Sequence, residues 1–208
     1  MTDRDASRRD LVRLLRLAYS AERAAYIAYR GHERSVRDPV EKAEIRRIGR
    51  QELHHRKVVG KILAALGGAP SPRRERLMPW VGRAIWLSCV AFPRFVAMYG
   101  AGRLERDNID QYVTAARLAI AAGHPEFVDA CLEMAEVEWD HERYFHAKAR
   151  ESRLMRLVGD WDDPPPRASY RAGFAPAAPG DRPAGAPGAP ARIGAPIARA
   201  LGGTPASP

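Results

Sequence analysis

Cysteine is nearly missing from this sequence: Cys89 and Cys131 are the only two in 208 residues. Two cysteines cannot supply a disulfide framework or a cysteine-rich zinc site, and their scarcity fits a reducing cytosolic compartment. Long apolar runs are lacking too. The most apolar region is cut by Arg83, Pro93 and Arg94, short of the roughly 18 uninterrupted apolar residues that a membrane span needs. The opening MTDRDASRRDL has no apolar core of the signal-peptide kind, so secretion is not expected. What is present is 46% hydrophobic residues, enough for one buried core, and a net charge of +9. Such a charge could serve a nucleic acid or a lipid surface. The simpler expectation is a soluble, arginine-rich protein, and nucleic acid is not the expected partner.

Composition changes abruptly after Trp161. Residues 162–208 hold 11 Pro, 7 Gly and 13 Ala, which break helices or bury little surface. The expectation is therefore a helical domain over 1–161 followed by a disordered tail over 162–208. Before Trp161 the pattern is helical, punctuated by Pro and Gly. A first helix is predicted over 6–35 and a second over 39–66, with Asp38-Pro39 as cap and first turn and Gly67-Gly68 as stop. A loop over 69–79 leads to an apolar segment from Trp80, bent at Pro93, and then to a third long helix reaching Ala122. The fourth opens at His124-Pro125 and runs towards Val158. The fold class is thus all-α, a four-helix bundle with an extra apolar helical segment.

Two Glu-x-x-His pairs stand in this frame, Glu52/His55 on the second helix and Glu138/His141 on the fourth; residues three apart share a helix face. With 13 glutamates and six histidines in 208 residues, chance gives about 0.4 such matches, so spacing alone decides little. Position decides more. Steps of three and four trace Ile45, Ile48, Glu52, His55, Val59, Ile62 down one helix and Cys131, Met134, Glu138, His141, Phe145 down the other. Both pairs therefore interrupt a core-facing stripe. Glu22 and Glu105 interrupt the corresponding stripes of the first and third helices, where a lone carboxylate would need a partner. The levels agree as well. Glu22 and Glu52 each lie 13 residues from their shared turn, roughly 20 Å along the axis, and the second hairpin is offset by only about 6 Å.

Four carboxylates can balance two divalent cations in a low-dielectric core, and two imidazoles add one nitrogen ligand to each. One glutamate from each of two helices plus Glu-x-x-His from the other two is the ligand set of ferritin-like di-metal bundles. The candidate metal ligands are therefore Glu22, Glu52, His55, Glu105, Glu138 and His141, with two of the glutamates as candidate bridges. His32, His54, His124 and His146 have no carboxylate three residues earlier and read as surface or capping residues. Tyr26, Tyr112 and Phe145 lie near the proposed ligands and read as core filling rather than pocket lining.

From Tyr19 to Ala149 the chain resembles the demethoxyubiquinone hydroxylases of ubiquinone biosynthesis, a branch of the ferritin-like superfamily. The resemblance rests on AYSAERAAYIAYRGH, QELHHRKVVGKILAALG, MPWVGRAIWLSCVAFPRFVAMYGAGRLERDNIDQY and EVEWDHERYF. It implies two iron ions, with manganese the alternative metal, and dioxygen activation for hydroxylation of a quinone-type lipid. The family typically has His-Ala-Gly-Glu where this chain has Tyr19-Ser20-Ala21-Glu22, and His-Tyr where it has Gln111-Tyr112. Substrate identity is the part of the resemblance that transfers least. Two other readings share the same centre: a ferritin-like iron-binding or peroxide-scavenging protein, and a di-iron hydroxylase of a tRNA base. Residues 77–102 carry Trp80, Trp86, Phe92, Phe95 and Tyr99 with arginines alongside. Such a segment suits either peripheral contact with the inner face of a membrane or ordinary packing on the bundle.

Overall fold

The computed structural model describes residues 2–174. Its elements are α1 (Asp3–Ser35), α2 (Pro39–Ala65), α3 (Pro72–Ala91), α4 (Arg94–Ala121), a 3₁₀ turn (Pro125–Phe127), α5 (Val128–Arg150), α6 (Met155–Val158) and α7 (Ser169–Ala172). Local chemistry sets the ends. Thr2 and Asp5 form a reciprocal capping box, which starts α1 three residues before the predicted position. The Asp38 carboxylate accepts from the Val40 and Glu41 amides at 2.8 Å, and Pro39 loses nothing at the first helical position. Gly67 and Gly123, at φ 67° and 79°, close α2 and α4 in the left-handed region that favours glycine.

α1 pairs with α2, α4 pairs with α5, and α1 also packs on α3 and α4. The buried apolar residues fall into two clusters. One holds Leu11, Leu15 and Ala18 of α1, Val59 and Ile62 of α2, Tyr112 and Ala116 of α4, and Cys131 and Met134 of α5. The other holds Tyr29, Ile45, Ile48, Met98, Phe145 and Trp161. On each long helix the switch from one cluster to the other occurs at the predicted ligands: between Ala18 and Tyr29, Ile48 and Val59, Met98 and Tyr112, and Met134 and Phe145. A polar layer therefore crosses all four helices at one level, sealed above and below by apolar side chains.

The 69–79 segment is not the loop the sequence suggested, because α3 begins at Pro72. Pro79 sits inside α3 and cannot donate to the Glu75 carbonyl four residues back. Arg23 Nη1 reaches that carbonyl at 3.4 Å instead, and burial of Met78 and Pro79 adds to the compensation. Pro93 separates α3 from α4, with Phe92 before it extended as the proline ring requires. Close approach of α3 to α1 depends on glycine: a Cβ on Gly82 would lie 2.7 Å from the Ala24 carbonyl oxygen and 2.9 Å from Ile27 Cβ. Backbone is in the way, so Gly82→Ala is expected to lower unfolding stability by about 1–3 kcal/mol in a urea titration.

A further correction concerns the boundary at Trp161. Residues 162–174 pack on the bundle: Trp139 Nε1 donates to the Pro165 carbonyl at 2.9 Å, Arg171 Nε donates to Glu136 at 2.6 Å, and Tyr170 and Phe174 lie against the core. The average composition of residues 162–208 hid the two large aromatics near its start. The remainder of that expected tail lies outside the described residues. Trp161 itself is buried, stacked on the His146 ring at 3.9 Å and over Gly102, where a Cβ would meet its ring at 2.8 Å.

Candidate metal centre

All six predicted ligands come together in the polar layer, each no more than 3% exposed. Donor atoms of Glu22, Glu52, His55 and Glu138 lie within 4.8 Å of one another, as do those of Glu52, Glu105, Glu138 and His141. Glu52 and Glu138 belong to both groups. The Glu-x-x-His helices thus contribute the two shared carboxylates, and each group is completed by one further glutamate and one histidine. The two groups could each hold a metal ion.

Charge and hydrogen bonding fit that use. Glu138 lies between the imidazoles, 2.9 Å from His55 Nδ1 and 3.2 Å from His141 Nδ1. Burial pushes its carboxyl up, but the two histidines outweigh burial and hold it well below the usual carboxylate range. His55 is the converse: burial disfavours its charged form, yet Glu138 raises its pKa. Glu22, Glu52 and Glu105 are all pushed well above the usual range, first by burial and then by one another's charge and that of Glu138. Glu52 Oε1 has only His141 Nδ1 near it, at 3.2 Å, and the second oxygens of Glu52 and Glu22 are buried without a hydrogen-bond partner. Buried acceptors of this kind are costly unless something with positive charge meets them.

Around the centre stand partners that sequence reasoning had not assigned. Tyr112 of α4 donates to Glu22 of α1, and Tyr29 of α1 donates to Glu105 of α4, so each tyrosine serves the glutamate of the opposite helix. Each lies seven residues after the glutamate of its own helix. That interval of two turns on the buried face was the available signal. Tyr112 and Phe145 do fill core as expected, Phe145 stacked on Tyr29 at 5.5 Å, but Tyr112 also binds a predicted ligand. Tyr26 is half-buried. Asn108 Nδ2 donates to the second oxygen of Glu105 at 2.8 Å, and Gln51 Oε1 lies 2.9 Å from His141 Nε2. Tyr29→Phe and Tyr112→Phe are expected to fold normally and to lower manganese(II) affinity 10–100-fold, the usual effect of losing a group that orients a ligand. The loss in Tyr112→Phe falls on the position shared with His55, and in Tyr29→Phe on that shared with His141; paramagnetic broadening of the two imidazoles reads the difference.

Two of the four remaining histidines are not surface groups. His32 is buried, which lowers its pKa to about 4. His146 is fully buried, with Nε2 2.6 Å from Asp160 Oδ1, while Trp161 Nε1 donates to Glu142 at 2.8 Å. His146 thus anchors the chain beyond α5 rather than a ligand. His54 is exposed, and His124, half-buried, lies 2.9 Å from Glu126 after the α4 stop. Among the described residues no helix is long and apolar enough to cross a membrane. Comparison with models of protein families, with curated proteins and with solved structures finds no match for this chain.

Proposed function

We propose that this buried layer is a di-iron centre and that the protein is a monooxygenase hydroxylating a quinone-type lipid with dioxygen. The observation that carries the reading is the pair of four-residue donor groups sharing Glu52 and Glu138. Four carboxylates and two imidazoles form a hard, mixed oxygen and nitrogen donor set suited to iron or manganese rather than to softer metals. When bound, the metal pair supplies the activation of dioxygen. The chain supplies the rest. Tyr29 and Tyr112 hold Glu105 and Glu22 in place, Gln51 and Glu138 orient the imidazoles, and the two apolar clusters keep bulk water away from the layer.

Lipid access is supported by the surface just before the Glu105 helix. Trp80, Leu87, Val90, Phe92 and Val96 are all at least 43% exposed along α3 and the start of α4, and the Arg83 guanidinium lies 4.9 Å over the Trp80 ring. An exposed apolar face bearing Trp and bordered by arginines suits peripheral contact with a membrane. Anionic vesicles should bind the protein reversibly, with each nearby arginine adding about 1 kcal/mol, so that high salt weakens binding without abolishing it. Trp80→Ser with Leu87→Ser should reduce flotation with vesicles and leave the melting temperature unchanged.

The function is tested by supplying the iron-loaded protein with a chemical reductant, ¹⁸O₂ and a vesicle-borne quinol with an unsubstituted ring position. One labelled oxygen atom incorporated into the ring is the expected result. Consumption of peroxide with no oxygenated organic product overturns this reading in favour of a ferritin-like iron or peroxide protein.

A further inference from the structure

We propose a second ligand site, a pocket for a phosphate-bearing anion where the beginning of α1, the end of α2 and the start of α3 meet. A cavity of about 550 Å³ is lined there by five arginines, Arg8, Arg9, Arg13, Arg16 and Arg74, and by no carboxylate. Arg8 lies fourteen residues before Glu22 on the same helix, about 20 Å along its axis, so the pocket is separate from the metal layer.

Two of the arginines are fixed in place. Arg8 donates to the Leu66 carbonyl, and Arg16 Nε donates to the Ala69 carbonyl at 2.8 Å. Each bond uses one of five guanidinium donors and leaves the remainder for a ligand. The charge is almost uncompensated. Among the described residues, Arg13 alone of the five has a carboxylate partner, Asp10 at 3.5 Å on the exposed surface. Glu75, the acidic residue in the first turn of α3, is engaged elsewhere with Ser20, Arg23 and Arg56. Five cations around one concavity repel one another and focus positive potential into it, which favours an anion.

The start of α3 adds to that potential. Ser71 and Pro72 line the cavity, and Ser71 makes no side-chain cap bond. The first-turn amides of this 20-residue helix, with the positive end of its dipole, are therefore at the pocket. Guanidinium forks match phosphate oxygens, and helix amides complement them. The volume leaves room for a larger molecule carrying the phosphate, either a soluble phosphorylated compound or a phospholipid headgroup. α3 runs from this pocket to the exposed Leu77 and Trp80, within reach of either source.

Calorimetric titration of the full chain with inorganic pyrophosphate at low ionic strength tests the pocket. One saturable site is expected, at least tenfold weaker in Arg9→Ala, Arg16→Ala and Arg74→Ala and unchanged in Arg30→Ala and Arg117→Ala, which are exposed elsewhere. Arg9 and Arg74 hold no backbone carbonyl among the described residues, so their variants should keep the parent helix content, and pyrophosphate should raise the melting temperature of the parent more than theirs. The sources separate by competition. Displacement of pyrophosphate by phosphatidylglycerol vesicles identifies a headgroup, and displacement by a soluble phosphate monoester alone identifies a metabolite; both support the pocket. Absence of saturable binding, or equal weakening by Arg30→Ala and Arg117→Ala, overturns it.

Discussion

Glu52→Ala should lose both metal ions, whereas Glu22→Ala and Glu105→Ala should each lose one. The asymmetry follows from the shared carboxylates: Glu52 and Glu138 serve both donor groups, Glu22 only the group with His55, and Glu105 only the group with His141. Removing a shared ligand takes a donor and a negative charge from both positions at once. The loss of affinity should exceed the 10–100-fold cost of removing a group that merely orients a ligand. Glu52→Ala should nevertheless fold, because its one close contact, Oε1 3.2 Å from His141 Nδ1, is to a nitrogen that keeps Glu138 at the same distance. Glu138→Ala is different. It strips His55 and His141 of their common carboxylate, and breaking a buried pair in this way typically costs about 3–5 kcal/mol. Metal analysis with thermal melts of the four variants separates these outcomes. Equal metal loss in all of them would contradict the shared arrangement.

Metal loading should reverse the direction in which stability depends on pH. In the metal-free protein, Glu22, Glu52 and Glu105 have folded pKa values raised well above 4.5. The folded state therefore holds protons that the unfolded chain releases. Stability from these groups is complete below pH 4.5 and is lost as pH rises through their folded values. His55, raised from 6.5 by Glu138, acts in the same direction at higher pH. The depressed Glu138 matters only below 4.5, where its contribution is lost as pH falls. Each extra proton bound by the folded state costs about 1.4 kcal/mol per pH unit, or about 3–6 °C in melting temperature for a chain of this size. The metal-free protein should therefore melt at progressively lower temperature from pH 5 to pH 8. Metal binding requires deprotonated ligands, so the stabilisation it adds grows over the same range. A metal-free melting temperature that rises with pH would contradict the buried carboxylate cluster.

Much of the centre was legible because helical periodicity is a strict ruler. Once Glu22, Glu52, Glu105 and Glu138 each interrupted an apolar stripe, rise per residue placed them at a common level. The apolar clusters above and below that level confirm the placement. Periodicity did not show contacts between helices. The crossed bonds of Tyr29 to Glu105 and Tyr112 to Glu22 depend on how α1 faces α4, and the burial of His146 depends on Trp161 folding back over α5. Composition misled in two places. Pro-rich sequence over 69–79 suggested a loop although Pro72 starts a helix and Pro79 is tolerated inside it. Averaging over residues 162–208 concealed Tyr170 and Phe174.

The most direct test of the central claim is metal-edge anomalous diffraction from crystals of the iron-loaded protein. Two peaks about 3.5–4 Å apart are expected between Glu52 and Glu138, one beside Glu22 and His55 and the other beside Glu105 and His141. Absence of anomalous density in this layer after loading, or metal bound only outside it, would contradict the assignment.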